Sequence, residues 1–586
     1  MKRLVSTVAL LRAVTASAVL VSAVLASACG SDGSAARLPA FDLPGAAGSG
    51  ATVAPGGSTP GVMPSAPAPG STAPGGSELG GPEQGAPVVG QTPGQTPSTG
   101  SGASFVALPR STPEAEGVSS QSLLTFVTAL DDSPIEIHSV MVARHGKVVA
   151  EGWWAPYTAE DIHVTYSVTK SFNGTAVGLA IQEGKLGLDD TLVSHFPELT
   201  PANVNANLAA MRVRDLLTMS TGHAADTIDR LRARTDGQWT RAFLELPVEN
   251  PPGAPFIYNS GAAYVLSSLV QKVTGSTVKE YLTPRLFEPL GIASALWGVS
   301  AEGVNLGDGG LSLRTEDLVK FGLLYLQQGQ WNGEQILSPQ WVTDATSSEV
   351  SNGAGQSDWN SGYGFQFWRN QRGGYRADGS LGQFIFVLPD QDAVVSVTSA
   401  TTDLAGVLNL VFGAGVPALA GATALPENAA TQQALKDKLA SFALPAPTGM
   451  PDSARSADVS GRVYNTTANS YGVSSVQLDF AATPNPVVTI TDADGPHAIP
   501  VGVGDWVRSR TGYRKRINEL FDTPEQGIAA RGAWTADDTF TTKIVFNETP
   551  YAMTTTYRFN GEQVAIDSSY NVRWGTASEG QITGTR

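Results

Sequence analysis

Ser167 and Lys170, in the run Tyr166-Ser167-Val168-Thr169-Lys170-Ser171-Phe172, place a hydroxyl and an amine three residues apart. Residues at that spacing share a helix face, so the amine can lie beside the hydroxyl: a nucleophile with its own base. Ser276-Thr277-Val278-Lys279 repeats the spacing, but it follows a Val-Thr-Gly turn and precedes an amphipathic run, the context of a helix-capping serine. Ser167 instead opens a long apolar helix through Ala176 to Ile181, at the positive end, where a developing oxyanion is favoured. Tyr258, in Phe256-Ile257-Tyr258-Asn259-Ser260-Gly261, heads a second helix, and a phenol held near a lysine relays a proton to a leaving atom. Gly379-Ser380-Leu381-Gly382-Gln383-Phe384 enters a strand, where glycines let backbone amides approach a substrate carbonyl; the same pattern also makes a plain turn.

These residues need a scaffold. Val140 to Glu151 reads as two alternating strands joined at His145-Gly146. Residues 175–345 are mostly helical in pattern, with apolar faces at three-and-four spacing in Arg212–Ser220 and in Thr315–Leu326, the latter opened by a capping-type threonine. Strand signals return near Tyr363, Pro389-Asp390-Gln391-Asp392 marks a turn between two buried-type strands, and Leu404 to Phe412 reads as a closing helix. Strands, a helical insertion, strands and a helix make one mixed α/β unit over 104–420. Residues 421–454 read as a linker, and 455–586 as a β-rich domain of short, turn-separated strands.

The chain has 586 residues, 41% of them hydrophobic, enough for more than one buried core. Its 37 basic and 53 acidic residues give a net charge of −16, which argues against a nucleic-acid partner. Residues 1–28 carry a basic start and an apolar stretch, the pattern of an export signal. Cys29, the single cysteine, follows Ala26-Ser27-Ala28 in a run resembling a bacterial lipobox, so lipidation and an extracytoplasmic, membrane-anchored location are expected. Residues 29–103 are dominated by Gly, Pro, Ser, Ala and Thr, too poor in apolar side chains to fold, and as a flexible tether would span roughly 50 Å. The six histidines show no metal-ligand spacing, and neither metal nor cofactor is expected. No Gly-x-Ser-x-Gly occurs in the folded part, which argues against a Ser-His-Asp triad on an α/β-hydrolase elbow.

Taken in order, His163 to Phe172, Leu217-Thr218-Met219-Ser220-Thr221-Gly222, Tyr258-Asn259-Ser260 and Ala377-Asp378-Gly379 resemble the serine β-lactamase-related hydrolases. That family includes class C β-lactamases, D-alanyl-D-alanine carboxypeptidases, family VIII esterases and 6-aminohexanoate-oligomer hydrolases. The resemblance spans about residues 105–420. It implies a β-lactamase-like, penicillin-binding-protein-like transpeptidase fold: an antiparallel sheet flanked by helices with a helical subdomain, here followed by an all-β domain.

The resemblance also implies roles. Ser167 is the acylated nucleophile and Lys170 its base. Tyr258 with Ser260 matches a Tyr-x-Ser variant of the family's Tyr-x-Asn. The amides of Ser167 and Ser380 would form the oxyanion hole, with Ser260, Gly379 and Gly382 against substrate. The Lys-Thr-Gly or His-Thr-Gly expected on the strand is Ala377-Asp378-Gly379, so the cation that would bind a β-lactam or peptide carboxylate is missing. Arg376 either restores that positive charge or, the blander reading, is a surface arginine beside the strand. The expected activity is hydrolysis of carboxylic esters or small amides; D-alanyl-D-alanine carboxypeptidase or β-lactamase activity, and a non-catalytic cell-wall or ligand binder, stay open.

Overall fold

The computed structural model describes residues 105–586 apart from 254, 354, 356, 422, 515–522 and 573–580. The expected signal segment, Cys29 and the tether lie outside the described residues.

Helix α1 (Ser120–Asp131) precedes a hairpin of β1 (Glu136–Arg144) and β2 (Lys147–Trp153). A long excursion follows, carrying α2 (Thr169–Gln182), α3 (Ser260–Thr274) and α4 (Thr315–Leu326). The chain then returns as β3 (Trp368–Arg369), β4 (Tyr375–Gly379), β5 (Gln383–Leu388), β6 (Ala393–Ala400) and α5 (Leu404–Leu410). The six strands form one sheet in the order β2-β1-β6-β5-β4-β3, antiparallel throughout.

Alternation along the strands divides the core. Met141, Ala143, Ile385, Val387 and Val394 face the helices of the excursion, while Val140, Val142, Phe384, Phe386 and Val395 face α1 and α5. Helix α2 is buried from Thr169 to Ala180, as a helix enclosed on all sides must be. Its Gly178 is dictated by packing: a Cβ there would lie 2.3 Å from the Trp341 ring.

The segment read as a linker holds α6 (Ala429–Ala440), packed against α1 and β2. Its periodic signal is weak because Leu435 is its only buried residue. Thr277, rather than Ser276, caps the helix Val278–Leu282, its Oγ1 accepting from the Glu280 amide at 3.3 Å. Thr315 is likewise the first residue of α4 and Arg314 its N-cap.

The C-terminal part comprises β7 (Arg462–Thr466), β8 (Ser475–Asp479), β9 (Val487–Asp492), β10 (Gly495–Pro500), β11 (Val507–Thr511), β12 (Gln526–Ala536), β13 (Thr539–Val545), β14 (Ala552–Asn560), β15 (Gln563–Tyr570) and β16 (Ile582–Thr585). They form one antiparallel sheet, β10-β9-β8-β7-β16-β15-β14-β13-β12-β11. The short connection between its two edge strands binds back onto β12, where the Gly502 amide donates to the Ala530 carbonyl at 3.1 Å. The sheet is thereby curled into a nearly closed barrel, filled by Tyr464, Trp534, Phe540, Tyr557 and Phe559.

Candidate active site

Ser167 lies in a turn of 3-10 helix, Tyr166–Val168, that runs directly into α2. It is half-buried, whereas Lys170 is 1% exposed. The Lys170 Nζ donates to Ser167 Oγ at 3.0 Å and to the Asp308 carbonyl at 2.7 Å. Neither partner is a carboxylate, so burial prevails over the more distant Asp308 and Asp226 charges and brings the amine down to about 8.

Tyr258 lies one residue before the N-cap of α3. Asn259 caps that helix, its side-chain oxygen accepting from the Ala262 amide at 3.2 Å and the Thr227 hydroxyl at 2.7 Å. Gly261 is required here, since a Cβ would fall 2.0 Å from Thr227 Oγ1. The Tyr258 ring stacks on Trp368 (centroids 5.6 Å apart, planes at 20°) and lies 5.0 Å from Lys170 Nζ. Burial and the Asp378 charge hold its phenol well above the ordinary range, with a hydrogen bond to Ser167 acting the other way. Ser260 is buried in the first turn of α3, its amide donating to Asp226 Oδ1 at 2.9 Å; the carboxylate thus sits at the helix's positive end.

Strand β4 forms the opposite wall. A Cβ on Gly379 would meet the Thr165 carbonyl at 2.2 Å and the Ser167 amide at 3.2 Å, so only glycine permits this approach. Ser380 begins the turn into β5 and is half-buried. The turn is fixed from behind: Gln383 Nε2 donates to the carbonyls of Ser380, Leu381 and Ser399 at 3.3, 3.0 and 2.8 Å, and Ser399 Oγ to Gly382 O at 2.9 Å. Gly382, a turn glycine with positive φ, packs on Ser399 and Thr401. The structure therefore gathers Ser167, Lys170, Tyr258 and Gly379 at one corner.

Arg376 is not on the surface. It is 0% exposed, its guanidinium 5.1 Å from the Trp359 ring and 5.7 Å from that of Trp368. It donates to Asp378 Oδ2 at 3.0 Å, Asn370 Oδ1 at 2.8 Å and the carbonyls of Asp358 and Arg369, both at 3.2 Å. Trp359 Nε1 also donates to Asp378 Oδ2, at 3.1 Å. Burial pushes the Asp378 carboxyl up. The strand wall thus turns its cation inward and holds a carboxyl beside Tyr258. The alternating pattern of a strand carries no sign of this, because three of the four acceptors come from residues 358–370, outside β4.

His163 stands four residues before Ser167 but points elsewhere. Its Nδ1 donates to the Val164 carbonyl at 2.9 Å and its Nε2 lies 3.1 Å from His138 Nδ1, with burial lowering it to about 3. Sequence reasoning missed Asp308, whose carbonyl holds Lys170 and whose carboxylate takes Arg232 at 2.9 Å, and it missed Gln383 and Ser399. These act through backbone carbonyls, for which side-chain spacing gives no signal. A groove of about 820 Å³ between β2 and α6 is lined by none of these residues.

The family profile described as Beta-lactamase matches residues 137–409, the span that contains every residue of this corner. A 6-aminohexanoate-dimer hydrolase of Paenarthrobacter ureafaciens is 27% identical over 285 residues, 45% of this chain and 72% of that protein. Protein Flp of Staphylococcus aureus is 26% identical over 167 residues, and the chain spans only 33% of its length. Among solved structures, the octameric penicillin-binding protein homologue from Pyrococcus abyssi is similar at 18% identity and a TM-score of 0.41, covering 79% of this chain and 99% of its own. Residues 137–409 thus match the beta-lactamase family profile, and the hydrolase relatives support a serine hydrolase.

Proposed function

We infer that the protein is an exported hydrolase of carboxylic esters or small amides, working through an acyl-enzyme on Ser167. The observation that carries the reading is the Lys170 amine, buried, 3.0 Å from Ser167 Oγ and lowered to about 8. In its neutral form Lys170 takes the Ser167 proton as the hydroxyl attacks the carbonyl carbon. The amides of Ser167 and Ser380 hold the tetrahedral oxyanion. Tyr258 passes the proton to the leaving oxygen or nitrogen, and water then releases the acid.

The strand wall favours this over β-lactam or peptidyl carboxylate substrates. Arg376 is buried with its Nε and Nη1 held by four acceptors, and the carboxyl of Asp378 would repel a substrate carboxylate. The relative named for 6-aminohexanoate-dimer hydrolysis supports an amide-cleaving capacity. Export and anchoring through Cys29 belong to the same proposal and rest on the first 29 residues.

The test is intact-mass analysis of the protein after exposure to a fluorophosphonate, with Ser167→Ala alongside, followed by turnover of p-nitrophenyl esters, aminohexanoate amides and a cephalosporin. An adduct on the wild type alone, with ester or amide turnover exceeding cephalosporin turnover, is the expected result. Labelling that survives in Ser167→Ala would remove the nucleophile assignment, and preferred cephalosporin cleavage would remove the substrate assignment.

A further inference from the structure

Two of the non-glycine residues with left-handed backbones adjoin the Ser167 and Ser380 amides in the chain: Tyr166 with φ 46° and Leu381 with φ 60°. That region is sparsely populated by residues with a Cβ, and it persists where surrounding structure over-determines it. Tyr166 immediately precedes Ser167, and Leu381 immediately follows Ser380. The two strained positions therefore flank the two amides read above as the oxyanion-binding pair.

Both side chains are buried and join, with Val164, Ala400, Phe546 and Tyr551, the apolar cluster that continues into the core of the C-terminal barrel. Tyr166 reaches the loop between β13 and β14, its hydroxyl 3.5 Å from that of Tyr551. The same loop grips the chain leading to Ser167. The Val164 amide donates to the Glu548 carbonyl at 3.0 Å, Tyr157 Oη to the Thr549 carbonyl at 2.9 Å, and Asn547 Nδ2 to Asp161 Oδ1 at 2.8 Å. From β11, Arg508 adds a bond to the Pro156 carbonyl at 2.7 Å and pairs with the Asp161 carboxylate.

We propose that the C-terminal barrel is part of the catalytic apparatus: by packing Tyr166 and Leu381 it fixes the two left-handed turns that aim the Ser167 and Ser380 amides at one point. The inference rests on the reading of those amides as the oxyanion hole. Tyr551 is then a positioning residue, acting through Tyr166 without touching substrate. A barrel that only added stability, or that bound a separate ligand, has no need to bury the two residues next to these amides. Loss of the packing relaxes the turns and spreads the amides, which weakens stabilisation of the tetrahedral state more than binding of the planar ester.

The experiment compares the full chain with Tyr551→Ala and Tyr551→Phe, measuring kcat and KM for a p-nitrophenyl ester, the Kd of a phenylboronic acid as a tetrahedral adduct, and Tm. Tyr551→Ala is expected to lower kcat by at least about tenfold and weaken the boronic acid by a similar factor, with KM within about twofold. Tyr551→Phe restores both, because the ring rather than the long hydroxyl contact does the packing. A folded Tyr551→Ala protein with unchanged kcat, or a kcat loss with no change in boronic acid affinity, overturns the proposal. If Tyr551→Ala does not fold, Asn547→Ala at the same interface takes its place, with kcat expected to fall by about threefold; an unchanged kcat overturns the proposal. A wild type that neither turns over the ester nor takes the fluorophosphonate overturns the reading of the site and this inference with it. An active wild type beside an equally active Tyr551→Ala overturns the inference alone.

Discussion

The helix wall and the strand wall of the cleft each bury one cation, and they treat it in opposite ways. Lys170 meets a hydroxyl and a carbonyl, so its charge is poorly compensated and the amine is poised at about 8. Arg376 meets a carboxylate, a side-chain amide oxygen, two carbonyls and two indole faces. Burial lowers its affinity for a proton too, but a guanidinium starts so high that it stays charged. The difference teaches that burial alone does not make a base: the partners decide whether the charge is shed or locked in place.

The comparison is sharpened most by Lys170→Met, which fills the buried volume without the amine. Ester kcat/KM is expected to fall by roughly 10³-fold, while Tm is kept or raised because an uncompensated buried charge is gone. Arg376→Met should do the reverse, leaving Asp378 buried beside only Trp359 and costing about 3 kcal/mol in denaturant unfolding, with Tm falling accordingly. Equal Tm changes for the two variants would break the contrast.

Asp378→Thr gives the smallest effect. At roughly 8 Å and an effective dielectric constant of about 30, a unit charge is worth about 1.4 kcal/mol, or roughly tenfold. Matched p-nitrophenyl esters ending in a quaternary ammonium or a carboxylate should show a preference for the ammonium ester in kcat/KM, and the variant should lose about tenfold of it. An unchanged ratio would mean that Asp378 is neutral or faces away from substrate.

Legibility followed the same divide. The β1–β2 hairpin announced itself through His145-Gly146, both of which adopt positive φ, and the turn Pro389 to Asp392 through its composition. The Ser167–Lys170 contact was legible because helical geometry makes i and i+3 neighbours. The burial of Arg376 was not, since it depends on Trp359 and Asn370 arriving from another part of the chain. Helix α6 was missed because it buries so little, and the Gln383 and Ser399 bonds because their acceptors are carbonyls that every residue has. The contact of the barrel with Tyr166 was equally silent, as an aromatic in a sequence does not declare which domain will enclose it.

The most direct test of the central claim, that Lys170 is the base for Ser167, is the rate of fluorophosphonate labelling between pH 5 and 10 in wild type and Lys170→Met. The amine must be neutral to accept the proton, so the wild-type rate should rise with pH and level off above about 8. In Lys170→Met the rate should be slow and without that inflection. A wild-type rate independent of pH, or the same inflection in both proteins, would contradict the account.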